Sequence, residues 1–466
     1  MSSTYDVSQP KQPTSPVVKA PAKDAGKEAV KTSPAAPGVV QTGGAVPVAK
    51  GLPPRLLSLD AYRGFIMLVM ASEGFGFPQV ANKFKESEFW GPLGYHFSHV
   101  KWLGGEYWDL IQPNLKVRVL GLQWLGCAFW DLIQPSFMFM VGVAMAYSYA
   151  ARAAKGQSYL RMLGHAVWRS IVLVLLGVFL RSGDTTNWTF MDVVSQIGLG
   201  YTFLFLLWNR PRWVQGVAAA VILIGYWVAF AAYPLPGPDF DYARVGVTED
   251  WAEKNHVDGF KQHWAKNTNA AAAFDRWFLN QFPRKNEFLR EGSGYPTLNF
   301  IPSLATMIFG LMTGEMLRGS RGKWQKLGIM AGAGVIALGV GKLIDVAGIC
   351  PIVKVIWTPS WAIFSAGWVL LILSAFYAVI DCVGLRAWSF PLRVVGMNSI
   401  AIYVMSKMLD GWIHGRLMTH FGKDVYKNIA SHLVEDYQPY VPIVERVAVL
   451  FVMWLVCLWM YRQKIF

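Results

Sequence analysis

Residues 128–150, AFWDLIQPSFMFMVGVAMAYSYA, decide the fold of this chain. The stretch carries one charged side chain, Asp131, near its start, and an apolar run continues from Pro135 to its end. A helix of about 20 apolar residues spans the hydrocarbon core of a bilayer, which is roughly 30 Å thick. The stretch therefore predicts a transmembrane helix with an aspartate at one end.

The same pattern recurs along most of the chain. Apolar stretches near spanning length, each broken by Pro, Gly or charge, predict about ten transmembrane helices. They cover residues 64–80, 128–150, 167–180, 193–208, 214–233, 300–317, 327–349, 361–382, 394–408 and 443–461. With 54% hydrophobic and only 15% charged residues, the composition argues against a soluble fold. We predict an all-α polytopic membrane protein.

The start of the chain differs from the rest. Residues 1–50 are rich in Pro, Ala, Lys, Ser and Thr, and Tyr5 is their only aromatic residue. Such a composition predicts a disordered tail, because it offers little apolar surface to bury. A short apolar segment with a small-residue cleavage site is missing there, so we expect the first span to act as its own signal. The predicted domains are a tail at 1–50 and a transmembrane domain at 51–466.

The formal net charge of +14 would suggest a nucleic-acid partner if the protein were soluble. Instead, the basic residues recur in every second predicted loop: Arg152, Lys155, Arg161 and Arg169; Arg210 and Arg212; Arg318, Arg321, Lys323 and Lys326; Arg386 and Arg393; Arg462 and Lys464. Lys and Arg near helix ends favour the cytoplasmic side. We therefore expect both termini in the cytoplasm, extracytoplasmic loops at about 81–127 and 234–299, and a lipid bilayer rather than nucleic acid as the partner.

Cysteine and histidine spacing gives no metal-binding motif. The four cysteines lie in apolar surroundings without CxxC spacing, which excludes a disulfide scaffold and a cysteine zinc site. His96 and His99 stand out among the eight histidines because they lie close together in GYHFSHVKWLG, residues 94–104, after the first span. Imidazole suits proton or acyl transfer at neutral pH. We expect no metal and regard these two histidines as candidates for catalysis, with a structural role as the alternative.

Charged residues inside or near the predicted spans are a second group of candidates, because lipid penalises each charge that is not paired or hydrated. They include Glu73, Asp131, Asp192 and Glu315, and snorkelling at helix ends is the alternative explanation for each. Lys342 and Asp345 are three residues apart, which predicts an ion pair along one helix face.

A short internal duplication precedes the second predicted span. WLGGEYWDLIQP at 102–113 recurs as WLGCAFWDLIQP at 124–135. The first copy has His99 three residues before its tryptophan, where the second has Gly121, and the second copy continues into an apolar span. A histidine therefore accompanies only the first copy, whereas the second copy, which contains Asp131, begins a predicted helix.

Six motifs occur in order from Arg55 to about Met408. They are RLLSLDAYRG at 55–64, HxxWxG at 99–104, DLIxPxFxFxxG at 131–142, QxG at 196–198, PxxKxxWTxS at 351–360 and GMNSI at 396–400. In this order and at these helix boundaries, the chain resembles the heparan-α-glucosaminide N-acetyltransferase family. The LDxxRG element is also similar to that of bacterial membrane acyltransferases that decorate surface polysaccharides.

The resemblance implies transfer of an acetyl group from cytoplasmic acetyl-CoA to a glucosamine of a glycan on the far side of the membrane. By motif match the key histidine is His99, facing that side as acetyl acceptor or general base. The family's Asn-containing run reads Ser72-Glu73-Gly here, which makes Glu73 a stand-in partner for His99. Asp131 is preferred over Asp109 as the functional aspartate, because its surroundings match the family further.

The remaining site residues follow from the same resemblance and from charge. Arg318, Arg321 and Lys323 are candidates to hold the polyanionic end of CoA, although the same cluster serves equally as a topology signal. Asn398 and Ser399 are placed to hydrogen-bond the pantetheine or a neighbouring helix. We assign the side chains of Trp102, Trp357 and Ser360 to binding of the acceptor sugar.

Alternative functions stay open at the level of sequence. Nothing in the chain separates amine from alcohol acceptors, so O-acetylation of a polysaccharide is one alternative. A transporter of a sugar or anionic metabolite is another, with the intramembrane charges as substrate or proton sites. The resemblance to short bacterial family members predicts a bacterial inner-membrane location, and the oligomeric state is left open between monomer and homodimer.

Overall fold

The computed structural model describes residues 56–98, 118–119, 122–123, 127–182, 186–248, 251, 259–292 and 295–465. The predicted tail at 1–50 and the first copy of the duplication, with His99, Trp102 and Asp109, lie outside these residues.

The described chain is built almost entirely of helices. The helices are α1 (Leu57–Ala71), α2 (Phe77–Ala81), α3 (Trp90–His96), α4 (Ile133–Ala154), α5 (Tyr159–Arg181), α6 (Val193–Leu207), α7 (Arg212–Ala231), α8 (Ala270–Phe278), α9 (Phe300–Arg318), α10 (Lys323–Val346), α11 (Pro359–Tyr377), α12 (Phe390–Met397), α13 (Ser399–Met408), α14 (Asp410–Phe421), α15 (Val425–Leu433) and α16 (Val441–Arg462). Between α3 and α4, β1 (Arg118–Val119) pairs antiparallel with β2 (Leu122–Gln123), Arg118 opposite Gln123. The predicted all-α polytopic class is confirmed.

Seven helical segments of the described residues are long and apolar enough to cross a membrane. They are Phe129–Ala154, Tyr159–Arg181, Arg212–Ala231, Thr297–Arg318, Lys323–Val346, Pro359–Val383 and Gln438–Arg462. The first predicted span forms α1 and continues, after a bend of 59°, as Gly74–Ala81, which would make an eighth. Each of the ten predicted stretches is mainly helical, but the number of full-length spans in this part of the chain is smaller than ten.

The difference has local causes. α6 is apolar but has only 15 residues, and the predicted span 394–408 is broken at Asn398, whose φ of −116° and ψ of 35° interrupt the helix. The first span bends where Glu73 and Phe75 adopt positive φ angles of 46° and 57°. Polar and glycine residues at these points end one helix and begin another.

One charge assignment from the sequence is wrong. Arg161 and Arg169 were expected in a cytoplasmic loop, but both lie inside α5, which begins at Tyr159. The Ser158 side chain accepts a hydrogen bond from the Arg161 N–H and caps the helix there, eight residues before the predicted start. Arg169 is therefore an intrahelical charge and not a loop residue.

Glycines allow two pairs of helices to cross at backbone contact. A Cβ on Gly142 of α4 would lie 1.9 Å from the Met307 carbonyl oxygen of α9, and one on Gly310 would lie 1.9 Å from the Phe139 oxygen. A Cβ on Gly64 of α1 would be 1.7 Å from the Leu392 oxygen of α12. Small residues permit such close approach between membrane helices, where dispersion contacts take the place of the hydrophobic effect.

The loop between α7 and α9 contains short helices. A 3₁₀ helix at Gly259–Trp264 precedes α8, and Trp264 is buried against Tyr226 and Phe230 of α7. Asp275 of α8 accepts a hydrogen bond from the Thr297 N–H at 2.9 Å, which ties the loop to the start of α9. The loop therefore packs on the ends of α7 and α9.

Candidate active site

A buried ion pair joins two sequence motifs that are far apart in the chain. Lys354 Nζ donates a hydrogen bond to Asp131 Oδ1 at 2.6 Å, and their side chains are only 4% and 0% exposed. Asp131 lies in the 3₁₀ turn Phe129–Leu132, one turn before α4. Removing two charges from water costs several kcal/mol per ion, so such a pair is weak evidence for stability and stronger evidence for a specific role.

The loop that carries Lys354 is held by side chains from neighbouring helices. Asn299 Nδ2 donates to the Val355 carbonyl at 2.7 Å, and the Tyr226 hydroxyl donates to the Ile356 carbonyl at 3.0 Å. These bonds satisfy backbone groups that are buried in a non-helical segment. These contacts fix the loop in the position at which Lys354 reaches Asp131.

Trp357, which the sequence assigned to the acceptor side together with Ser360, lies in the same loop, and Ser360 lies in the first turn of α11 directly after it. Trp357 has a positive φ of 49°, and its Nε1 donates to Thr306 Oγ1 at 3.3 Å. Ser360 Oγ donates to the Pro351 carbonyl at 2.7 Å, and both side chains are fully buried. In this structure they hold the loop that positions Lys354.

Tyr295 covers Lys354 from the side of the loop before α9. Lys354 Nζ lies 6.0 Å from the centroid of the Tyr295 ring. Burial alone would lower the pKa of Lys354, but Tyr295 and Asp131 together raise that pKa above its ordinary value. The cationic form of Lys354 is thereby favoured, and a cation beside Asp131 favours the ionised carboxylate.

A cavity of about 140 Å³ lies between α1, α4, α5, α6 and α13. Its lining on α4 runs from Ile133 and Gln134, one turn after Asp131, to Ser148. At 1.5 Å per residue, the positions from 134 to 148 span about 21 Å. That distance is roughly two thirds of the hydrocarbon thickness of a bilayer. The cavity thus extends along the membrane helices from the Asp131 end toward the opposite end.

The wall of the cavity is mostly apolar, with two guanidinium groups in it. Arg63 of α1 donates from Nη1 to the Gly396 carbonyl at 3.3 Å, and the Arg169 guanidinium lies 5.1 Å from the centroid of the Tyr201 ring. Ser148 and Ser399 add hydroxyl groups. Charged side chains at helix positions of a membrane protein are costly and are functional candidates by default.

Near the Asp131 end of the helices, the cavity borders a hydrogen-bonded network. Gln134, which lines the cavity, donates from Nε2 to Gln196 Oε1 at 3.1 Å. The Tyr403 hydroxyl lies 2.9 Å and 3.0 Å from the two carboxylate oxygens of Asp192, to which it donates. Asp192 is also 3.3 Å from Arg181 Nε. These bonds join α13 to the start of α6 beside the cavity.

The structure places the other predicted residues as follows. Ser399 lines the cavity, and Asn398 is buried at the break between α12 and α13. Arg318, Arg321 and Lys323 lie at the turn between α9 and α10 and are not among the described residues that line the cavity; the Lys323 ammonium donates to the Asp381 carbonyl at 2.8 Å.

Glu73 and His96 are two further candidate residues whose surroundings the structure describes. Glu73 Oε2 is 2.7 Å from Arg446 Nη2, and Arg446 also contacts Asp410 at 3.2 Å. Burial lowers the pKa of His96 to about 4. His96 is therefore neutral in the physiological range, whereas the predicted partnership of Glu73 with His99 involves a residue outside those described.

No group of three or more His, Cys, Asp or Glu that could hold a metal ion occurs in the described part of the chain.

Comparison with known proteins finds similarity to two curated acetyltransferases. It is 23% identical over 404 residues to the heparan-α-glucosaminide N-acetyltransferase of Homo sapiens and 22% identical over 404 residues to that of Mus musculus. The chain is a distant relative of these acetyltransferases. The alignments cover 78% and 77% of this chain, which spans about half, 54%, of the length of each curated relative. No protein-family model matches the chain.

The relationship to the heparan-α-glucosaminide N-acetyltransferases confirms the predicted resemblance. Two residues of the site were present in the quoted motifs without a role, Arg63 in LDxxRG and Lys354 in PxxKxxW. A charge inside a motif at a helix boundary was the signal for both. Arg169 lay inside the predicted span 167–180 but was counted with the basic loop residues, so no functional role was assigned to it.

Proposed function

We propose that the chain is a membrane acetyltransferase that moves an acetyl group from cytoplasmic acetyl-CoA to an amino sugar or glycan on the extracytoplasmic side. The protein is multi-pass, and we place it in the bacterial inner membrane with both termini in the cytoplasm. The observation that carries the proposal is the cavity along the membrane helices, with guanidinium groups in its wall and the Asp131–Lys354 pair near one end. The distant relationship to named N-acetyltransferases supports it.

The cavity suits acetyl-CoA as substrate. Acetyl-CoA is a cytoplasmic molecule, so an external sugar is reached only if the acetyl group travels through the bilayer. An apolar wall fits the pantetheine arm, and the guanidinium groups of Arg63 and Arg169 fit its phosphates, because arginine binds phosphate in bidentate geometry. We therefore assign phosphate binding to these two arginines in addition to Arg318, Arg321 and Lys323, with Ser399 as a hydrogen-bonding residue in the wall.

The Asp131 end of the cavity suits the chemistry of transfer. We assign to His99 the role of acetyl acceptor or general base, and to Asp131 that of its orienting carboxylate. Lys354 then acts as a positioning residue that fixes Asp131 and keeps it ionised. In the overall reaction the acceptor amine attacks the acetyl carbon, the C–S bond breaks, the amine proton passes to the base, and CoA leaves as the thiol.

The test is transfer of labelled acetyl from acetyl-CoA to glucosamine by the purified protein, with His99→Ala and His96→Ala compared. We expect label on the sugar, loss of transfer in His99→Ala and a much smaller effect in His96→Ala, because the motif match assigns the role to His99. Reversed effects would show that the motif register is wrong.

Binding of CoA separates the remaining outcomes. If the wild type binds CoA but acetylates only a polysaccharide hydroxyl, the acceptor is an alcohol and the amine assignment fails. If CoA does not bind at all, the acetyltransferase proposal is overturned and a transporter becomes the better explanation.

A further inference from the structure

Gln134 brings an amide group into the wall of the cavity, three residues after Asp131. It is half-buried, and no other amide side chain lines the cavity among the described residues. The other α4 residues near it in that wall, Ile133, Phe137 and Val141, are apolar. An amide in such surroundings loses hydrogen bonds with water, so its partners have to come from the protein or from a bound molecule.

The orientation of this amide is fixed by Gln196. Gln134 Nε2 donates to Gln196 Oε1 at 3.1 Å. Gln196 is fully buried, and its own Nε2 donates to the carbonyl oxygens of Met191 and Pro296 at 3.4 Å and 3.5 Å. Two acceptors on one side of Gln196 require its nitrogen there, which directs its oxygen toward Gln134. The nitrogen of Gln134, and not its oxygen, therefore faces Gln196.

The second hydrogen on Gln134 Nε2 is a donor still to be matched. A primary amide nitrogen carries two hydrogens, and Gln196 accepts one of them. The described residues provide no acceptor for the other. Because Gln134 lines the cavity, a molecule bound in the cavity can supply that acceptor.

The position of Gln134 along the cavity indicates which group of acetyl-CoA this acceptor would be. The Arg169 guanidinium, which we assign to phosphate, lies on the ring of Tyr201, five residues farther along α6 than Gln196. Gln134 is therefore nearer the Asp131 end than this phosphate-binding group. In acetyl-CoA the pantetheine arm separates the phosphates from the thioester, whose carbonyl oxygen accepts hydrogen bonds and donates none.

We propose that Gln134 donates its second amide hydrogen to the carbonyl oxygen of the acetyl thioester, and that Gln196 is the positioning residue that holds it there. This inference rests on the proposed acetyltransferase function and adds a catalytic residue to it. The donor is needed by either route of transfer, because the carbonyl oxygen gains negative charge whether the acceptor amine or His99 attacks.

The step itself is an addition followed by an elimination. The attacking nitrogen forms a bond to the acetyl carbon, and the π pair of the carbonyl moves to the oxygen. As that pair returns, the C–S bond breaks, and the proton lost by the nucleophile ends on the CoA thiolate. A donor that is already oriented stabilises the charged oxygen more than the neutral carbonyl, so its contribution is to kcat.

The experiment measures kcat for acetyl transfer and the Kd for CoA in Gln134→Met and Gln134→Glu. Methionine keeps the length of the side chain without a donor, and glutamate lacks the second donor whether ionised or protonated. We expect kcat to fall about 100-fold in both variants, the usual effect of removing one such donor. The Kd for CoA, which has no acetyl carbonyl, should be unchanged. Gln281→Met, at an exposed loop position, is the control and should change neither constant.

A spectroscopic measurement separates a hydrogen bond from a packing effect. Acetyl-CoA labelled at the acetyl carbonyl is bound without acceptor to His99→Ala, so that the acetyl group stays on CoA, and its infrared band is recorded. A hydrogen bond lowers the stretching frequency of a carbonyl, so adding Gln134→Met should move the band to higher frequency. Gln196→Met should cause a smaller shift and a smaller loss of kcat, because the amide remains but is no longer fixed.

Three outcomes would overturn the inference and leave the proposed function intact. They are an unchanged kcat in folded Gln134→Met, a loss in Gln134→Met but not in Gln134→Glu, and a loss of CoA affinity as large as the loss of kcat. The second would show that side-chain volume matters and not the donor, and the third that Gln134 only shapes the CoA site. A wild type that neither transfers acetyl nor binds CoA would instead remove the proposed function, and this inference with it.

Discussion

Lys354 and Asp131 form a feature that the sequence alone does not reveal. They are 223 residues apart, and only the buried loop before α11 brings them to 2.6 Å. By contrast, the predicted pair of Lys342 and Asp345 is confirmed, with Nζ 2.8 Å from Oδ2, because a spacing of three residues on a helix fixes the contact locally. The contact within one helix could therefore be predicted from sequence spacing, whereas the contact between Lys354 and Asp131 could not.

Breaking the buried pair should separate its structural and catalytic contributions. Lys354→Met leaves a buried carboxylate without its cation and should destabilise the protein by about 3–5 kcal/mol. The double variant Lys354→Met with Asp131→Asn removes both charges and should recover most of that stability. Thermal unfolding of the purified variants checks this expectation.

Acetyl transfer by the same variants provides the second measurement. We expect the double variant to remain inactive despite its restored stability, because it lacks the Asp131 carboxylate to which we assign the orientation of His99. Recovery of activity together with stability would show that the pair serves the fold alone.

At the scale of the elements, the positions of the helices were largely predictable and their interruptions were not. Apolar runs mark the spans because every backbone polar group must be satisfied within the membrane, which favours helices. The bend after Ala71 depends on the positive φ angles of Glu73 and Phe75, and the break at Asn398 depends on the non-helical ψ of that residue, neither of which hydropathy registers. The same applies to the early start of α5, which a serine cap defines.

The crossing of α1 and α12 provides a prediction at this scale. A Cβ on Gly396 would lie 1.8 Å from the Asp60 carbonyl oxygen, so Gly396→Ala should separate the two helices and lower the melting temperature. The Gly396 carbonyl also accepts from Arg63, so the same change should weaken CoA binding. Gly415→Ala of α14, where a Cβ meets nothing within 4 Å, is the matched control and should be neutral or slightly stabilising.

At the scale of the whole molecule, the cavity depends on five helices that are dispersed along the chain. Arg63 comes from α1, Arg169 from α5 and Ser399 from α13, and no local pattern in the sequence links them. Arg63 and Ser399 lie in motifs that carry the resemblance, Arg169 lies in none, and the three-dimensional arrangement shows which of these residues share one space. The basic cluster at 318–323 was the visible candidate because its charges are adjacent in sequence.

Two arginines of α5 test the cavity as the CoA site. Both are exposed on the same helix, but Arg169 lines the cavity and Arg161 is not among the described lining residues. Arg169→Gln should raise the KM for acetyl-CoA about tenfold, from the loss of a charge-assisted contact with phosphate, while Arg161→Gln should leave it near the wild-type value. Equal effects of both substitutions would place the CoA phosphates outside the cavity.

The short helices beside the cavity have a consequence for the surrounding lipid. α6 and α13 have 15 and 10 residues, or about 22 Å and 15 Å of helix, against a hydrocarbon core of roughly 30 Å. Hydrophobic mismatch of this kind is relieved by local thinning of the bilayer. The acyl-chain length of the host membrane thereby becomes a determinant of turnover, with long-chain lipids expected to slow a transfer that short-chain lipids accommodate.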